Sequence, residues 1–167
     1  PTKIEFETSY LESEAISLCK SCLEDKASSE MSNLLLSPIM ILENSPFYNI
    51  PLAVRFKGDL NLDILEKCIN EIIDRHETLR TTFQTIDEDP CQIIHPFASR
   101  KIHVVDISRL PKEDREKEIH RLAQNEARTP FNLQAGPLFR AKIIHVGDND
   151  HVVLTNMHHI ISDGWSM

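Results

Sequence analysis

Two adjacent histidines, His158 and His159, stand at the end of an apolar run, and Asp163 follows four residues later with Gly164 directly behind it. These residue types suit proton-transfer chemistry. An imidazole titrates near neutral pH and can accept or donate a proton in a reaction. A nearby carboxylate can fix the tautomer of that ring, or can bond elsewhere and hold the loop. A glycine lets backbone approach a substrate closely and leaves an N–H free to aim at an oxyanion. Successive side chains of a strand point to opposite faces, so His158 and His159 cannot both enter one site. One is expected to face a cleft and the other to pack or hydrogen-bond behind it. The same alternation makes joint metal ligation by His158, His159 and Asp163 awkward, and no metal is expected.

Other candidates carry less. His76, His95, His103, His120, His145 and His151 are scattered at spacings that suggest no metal site. Cys19 and Cys22 have C-x-x-C spacing, but no second ligand pair stands at comparable spacing. With Ala15 and Leu23 they share one face of a helix expected over about 11–25, and they read as buried. Trp165, the sole tryptophan, reads as core, and Asp87-Glu88-Asp89 and Glu113-Asp114 read as solvated surface.

The elements that must position the histidines are legible from Tyr48 onward. Ile50, Leu52, Val54 and Phe56 alternate with other residues, the period of a strand with one buried face. From Asn61, a suitable helix N-cap, the period changes: Leu62, Leu65, Cys68, Ile69, Ile72, Ile73 and His76 follow helical spacing. A strand is expected over Leu79–Gln84, a turn at Asp87–Pro90, a return over Cys91–Ile94 and a short strand over Ile102–Val105. Lys112–Arg128 reads as a charged surface helix with a narrow apolar stripe at Ile119, Leu122 and Ala123, with Pro111 at its start and Pro130 closing it. Leu138–Val146 and His151–His159 form a hairpin around Gly147–Asp150. This order implies a mixed α/β (α+β) sandwich with helices packed on a largely antiparallel sheet. No linker divides the chain.

The 167 residues suffice for one compact domain or one lobe of a larger one. A net charge of -8 argues against nucleic-acid binding, which needs a basic face. No apolar run reaches the length of a membrane span; the longest, Leu34–Leu42, is interrupted by Ser37 and Pro38. The start, Pro1-Thr2-Lys3, lacks the layout of a signal peptide, so a cytoplasmic location is expected.

A bare His-His pair is most simply read as ordinary polar residues, but the string Met157-His158-His159-Ile160-Ile161-Ser162-Asp163-Gly164-Trp165-Ser166 is longer than that. It resembles the HHxxxDG signature of non-ribosomal peptide synthetase condensation domains, in the superfamily of chloramphenicol acetyltransferase. Upstream, Arg75-His76-Glu77-Thr78-Leu79-Arg80-Thr81-Thr82-Phe83 resembles the family's RHExLRTxF motif. Tyr48-Asn49-Ile50-Pro51, and Phe131-Asn132-Leu133 through Gly136-Pro137-Leu138-Phe139-Arg140, are similar to family segments as well. The resemblance covers about residues 44–167. The family's earliest motif, rich in Ser, Gln, Arg and Trp, has no counterpart in Leu34–Leu42, so residues 1–43 match poorly.

The resemblance implies an N-terminal lobe, followed in the family by a C-terminal lobe of similar fold and accompanied by an adenylation domain. It implies amide formation between an acyl or peptidyl donor and an aminoacyl acceptor. Both ride as thioesters on the phosphopantetheine of partner carrier proteins, with no cofactor of the domain's own. His159 is implied as the catalytic histidine, acting as base, orienting the amine or stabilising the tetrahedral intermediate. His158, Asp163, Gly164, Arg75 and Arg80 are implied as support, with Asp163 paired to one of the two arginines beneath the loop. Alternatives are an epimerization domain, another HHxxxDG acyltransferase using CoA or carrier thioesters, and a non-catalytic lobe that binds carriers or neighbouring domains.

Overall fold

The computed structural model of the chain describes residues 5–7, 45–87 and 89–162. The expected helix over 11–25 with Cys19 and Cys22, the Leu34–Leu42 run, Asp163, Gly164 and Trp165 lie outside the described residues. In order, the elements are β1 (Glu5–Glu7), β2 (Asn49–Lys57), α1 (Leu62–Arg75), β3 (Thr81–Ile86), β4 (Asp89–Ile94), β5 (His103–Asp106), α2 (Lys112–Arg128), β6 (Phe139–Gly147) and β7 (Asp150–His158). Short 3-10 turns precede β2 (Pro46–Tyr48), precede β3 (Glu77–Arg80) and follow β7 (His159–Ile161).

Five strands form one sheet in the order β1-β2-β7-β6-β5, and β3 pairs with β4 in a separate hairpin. All neighbours are antiparallel except β5 and β6. The architecture is therefore the expected mixed α/β one, with a mostly antiparallel sheet. The β6–β7 hairpin closes at Gly147↔Asp150, leaving Asp148 and Asn149 as the turn. One end of the hairpin is also tied to β2, where Arg55 meets Asp150 through two bonds of 2.8 and 2.6 Å and reaches Glu116 of α2 at 2.8 Å.

Helix α2 begins and ends where its prolines predicted, and its stripe packs as its spacing requires. Ile119, Leu122 and Ala123 meet Ile144, Val146, Val152 and Leu154 of the hairpin, together with Ile107. Each fully buried aliphatic side chain of this kind contributes about 1.5–3 kcal/mol. The fourth buried residue of the stripe is Glu126, whose carboxylate accepts from Arg140 Nε at 2.6 Å and Lys142 Nζ at 2.8 Å, both on β6.

Helix α1 starts as expected, with the Asn61 side chain accepting from the Ile64 N–H at 3.0 Å. Its buried face is narrower than the apolar spacing suggested. Ile69 and Ile73 are buried, whereas Cys68 and Ile72 are exposed. The inward position between them belongs to Asn70, which donates to the Arg100 and Glu66 carbonyls and accepts the Arg100 N–H at 2.7 Å. A buried amide with such partners orients the helix by hydrogen bonds rather than by an aliphatic stripe. Ile69 and Ile73 then line an open cleft of about 310 Å³ with Phe139 and Ala141 of β6.

The strand expected from Leu79 begins at Thr81. Residues Glu77–Arg80 wind into a 3-10 turn instead, and the Thr81 hydroxyl closes it by donating to the Glu77 carbonyl at 2.7 Å. Hydroxyl side chains of this kind compete with ladder bonds through local backbone partners.

Glu126 yields a direct test. Burial acts to raise its carboxyl pKa, but Lys142 and Arg140 together outweigh it and hold the group below the ordinary carboxylate value of 4.5. Glu126→Ala should cost about 2–4 kcal/mol in urea unfolding at neutral pH, because it strands two cations and removes a buried acceptor. The stabilisation is present above pH 4.5 and is lost as pH falls through the depressed carboxyl value, so wild type and variant should converge in acid. A variant as stable as wild type at pH 7 would contradict this account.

Candidate active site

The two histidines part where β7 ends: the strand expected to run through His159 stops at His158, so they are separated by the chain leaving the strand rather than by alternation within it. His158 lies on the same face of β7 as Val152, Leu154 and Asn156, the face covered by α2, and is 1% exposed. His159 leaves the strand as the first residue of the 3-10 turn and is exposed. Of the two, only His159 presents its side chain to solvent. The exposed apolar side chains Phe47, Tyr48 and Ile160 belong to the two segments that meet at His158.

The turn is held from inside. His158 Nδ1 accepts the Ile160 N–H at 3.1 Å, and the His159 carbonyl accepts the Ser162 N–H. The His158 ring stands 5.8 Å from that of Tyr48 and edge-on to that of Phe131 at 6.1 Å. Burial, followed by repulsion from His159, lowers its pKa from 6.5 to about 4, so it is neutral at physiological pH. His159 presents the free imidazole, and His158 forms the floor beneath it.

Among the described residues, each segment that carried the family resemblance reaches this floor. Tyr48 contacts His158, and Asn49, paired with His158 across the strands, donates to the Ala127 and Thr129 carbonyls at 2.7 and 2.9 Å. Leu79 and Phe83 from the second motif join Phe131, Leu133, Leu138, Phe139, Met157 and Ile161 in one apolar cluster. Backbone bonds knit it together: the Phe83 N–H donates to Leu133 at 2.8 Å, and the His158 N–H donates to Leu138 at 3.0 Å. Gly136, at φ 61°, passes so close to Thr82 that a β-carbon there would lie 2.8 Å from the Thr82 methyl. Arg140 places its guanidinium 3.7 Å from the centre of the Phe131 ring, a cation–π contact.

The two arginines put forward from sequence stand apart in character. Arg75 is exposed in the last turn of α1, where a cation suits the helix dipole. Arg80 is half-buried; it donates to the His95 carbonyl at 2.6 Å and to Glu77 at 3.3 Å, and its Nε has no partner among the described residues. Asp163 and Gly164 lie outside the described residues, so their relation to either arginine is not placed. Sequence reasoning assigned no role to Asn49, Phe131 or Arg140, which the structure puts around His158. Their signal was present in the Tyr-Asn-Ile-Pro and Phe-Asn-Leu segments, but their partners are distant in sequence.

Among the described residues no three His, Cys, Asp or Glu side chains form a metal-binding group. Within the same residues, no helix is long and apolar enough to cross a membrane.

The buried His158 makes stability depend on pH. In the unfolded chain it protonates near 6.5, and in the folded one near 4. Its contribution is whole above 6.5 and is lost as pH falls towards 4, about 3 kcal/mol in all. His151, also pushed down by burial, adds in the same direction. The loss of stability from pH 7 to 4, followed by chemical denaturation, should be smaller in His158→Asn than in wild type. Equal slopes would mean that His158 is not buried neutral.

Comparison with known proteins agrees with this arrangement. Residues 39–167 match the Condensation domain family. A linear gramicidin synthase polypeptide from Brevibacillus parabrevis is 48% identical over 127 residues, 76% of this chain and 2% of that protein. Cyclosporin synthetase simA from Tolypocladium inflatum is 40% identical over 121 residues, 72% of this chain and 1% of that protein. The chain thus spans only a small part of the relatives it matches. Among solved structures, the starter condensation domain of rhizomide synthetase RzmA superposes with a TM-score of 0.68 at 25% identity, over 83% of this chain and 34% of that one. The condensation domain of chain release from the enacyloxin polyketide synthase gives 0.62 at 26% identity, over 71% and 23%. With residues 39–167 matching the family model and synthetase relatives at 40–48% identity, the chain belongs to the condensation domain family of non-ribosomal peptide synthetases.

Proposed function

We propose that this chain is the histidine-bearing N-terminal lobe of a domain that forms amide bonds between carrier-bound thioesters. The observation that carries the reading is the exposed His159 imidazole, seated on a floor built by every motif segment among the described residues. An acceptor amine held beside His159 attacks the donor thioester carbonyl and forms a C–N bond. The C–S bond of the tetrahedral intermediate then breaks, and the departing phosphopantetheine thiolate takes up the proton given up by the amine. His159 takes that proton in transit or holds the amine for attack; positioned proton transfer of this kind supplies about 10²–10⁴-fold. The domain needs no cofactor of its own. Its partners are donor and acceptor carrier proteins, a second lobe that completes the site, and an adenylation domain in the parent protein. It works in the cytoplasm. Asp163 and Gly164 follow His159 in the sequence, and the family resemblance favours a supporting role for them, with Arg80 or Arg75 as the partner of Asp163.

The test is condensation between two loaded carrier proteins, with the chain joined to the rest of its domain. His159→Ala should lose most turnover while its stability stays within about 0.5 kcal/mol of wild type, since an exposed side chain contributes little to packing. Asp163→Ala should lose turnover and also about 3–5 kcal/mol of stability, because it leaves an unpaired charge beneath the loop. The 167-residue chain by itself should give no turnover above background. A fully active His159→Ala enzyme would remove the reading.

A further inference from the structure

The bond between His158 and Ile160 determines more than burial. Nδ1 accepts a backbone N–H at 3.1 Å, so it holds a lone pair, and in a neutral ring the proton must sit on Nε2. Nε2 is buried and has no hydrogen-bond partner among the described residues. Turning the ring over would put Cδ2–H where Nδ1 stands and leave the Ile160 N–H without its acceptor, and Tyr48 and Phe131 pack against the ring. His158 is also the N-cap residue of the turn that begins with His159, so the bond fixes the backbone from which the exposed imidazole projects.

We infer that His158 is a positioning residue: as a neutral imidazole protonated at Nε2, it sets the His159–Ile161 turn through its Nδ1 and thereby aims His159. This deepens the proposed function and rests on His159 being the catalytic group. A merely space-filling His158 would have no required tautomer and would be replaceable by another ring of similar size. A capping His158 has a required acceptor, and asparagine, whose side-chain oxygen is a favoured cap acceptor, can supply one.

Long-range ¹⁵N–¹H correlation on the histidine-labelled 167-residue chain should show His158 with an unprotonated Nδ1 and a protonated Nε2; a protonated Nδ1 overturns the inference. In the joined domain, His158→Phe should lower kcat about 10- to 100-fold, with KM for both loaded carriers unchanged, because a misaimed group costs rate rather than binding. His158→Asn should recover most of that loss, to within about threefold of wild type. Wild-type kcat in His158→Phe, or an asparagine variant no better than phenylalanine, overturns it. The tautomer measurement stands even where His158→Phe fails to fold. An active His159→Ala enzyme removes the catalytic reading itself, an outcome distinct from a wrong tautomer at His158.

Discussion

The structure depends on how the C-terminal end of α2 is satisfied. A helix ends with carbonyls that have no partner within it, and burying such an end without donors for them is costly. Here three neighbouring strands supply the donors. Asn49 of β2 reaches Ala127 and Thr129, Arg140 of β6 reaches Thr129 and Pro130, and Asn156 of β7 reaches Glu126. The Glu126 carboxylate holds Arg140 and Lys142 from the same turn. Helix and sheet are thereby fixed by directional bonds at the end where β7 gives way to His159. At the level of Ile144 and Val152 the same two layers meet through aliphatic contact, and beyond it Arg115 of α2 donates to the Val146 carbonyl at 2.9 Å.

From that junction the constraint passes to the site in two contacts. Arg140, held by Glu126 and two carbonyls, lies on Phe131, and Phe131 stands edge-on to His158. The loop that brings Phe131 there must turn tightly back into β6, which is why Gly136 adopts a left-handed conformation against Thr82. Leu133 and Leu138, buried on either side of this turn, join Phe83 of the second motif and Ile161 of the histidine turn. Much of what the motif residues do is therefore packing beneath the chemistry.

Local pattern explains what was legible in the sequence. The bounds of α2, its buried stripe and the β6–β7 hairpin follow from proline placement, a 3.6-residue period and a Gly-Asp-Asn-Asp turn, all within a few residues. That the two histidines would part company was legible from alternation, although the structure parts them by ending the strand at His158. The inward turn of Asn70 and the winding of Glu77–Arg80 were not legible, since each is decided by partners outside the local pattern or by one hydroxyl bond. Nor could spacing say that Asn49 would bond to a helix end 78 residues away.

The pair of histidines shows how one residue type serves two ends in adjacent positions. Exposure leaves the His159 ring open to solvent. Burial removes the same freedom from His158: with desolvation against charge and one nitrogen committed to Ile160, it behaves as a rigid aromatic acceptor. A charged neighbour under the floor would repel a protonated His159 and draw water inward. A neutral ring does neither, and it spares the backbone N–H of Ile160 from going unpaired. The arrangement therefore ties the two histidines together, since the turn that exposes His159 is closed by the ring that His158 buries.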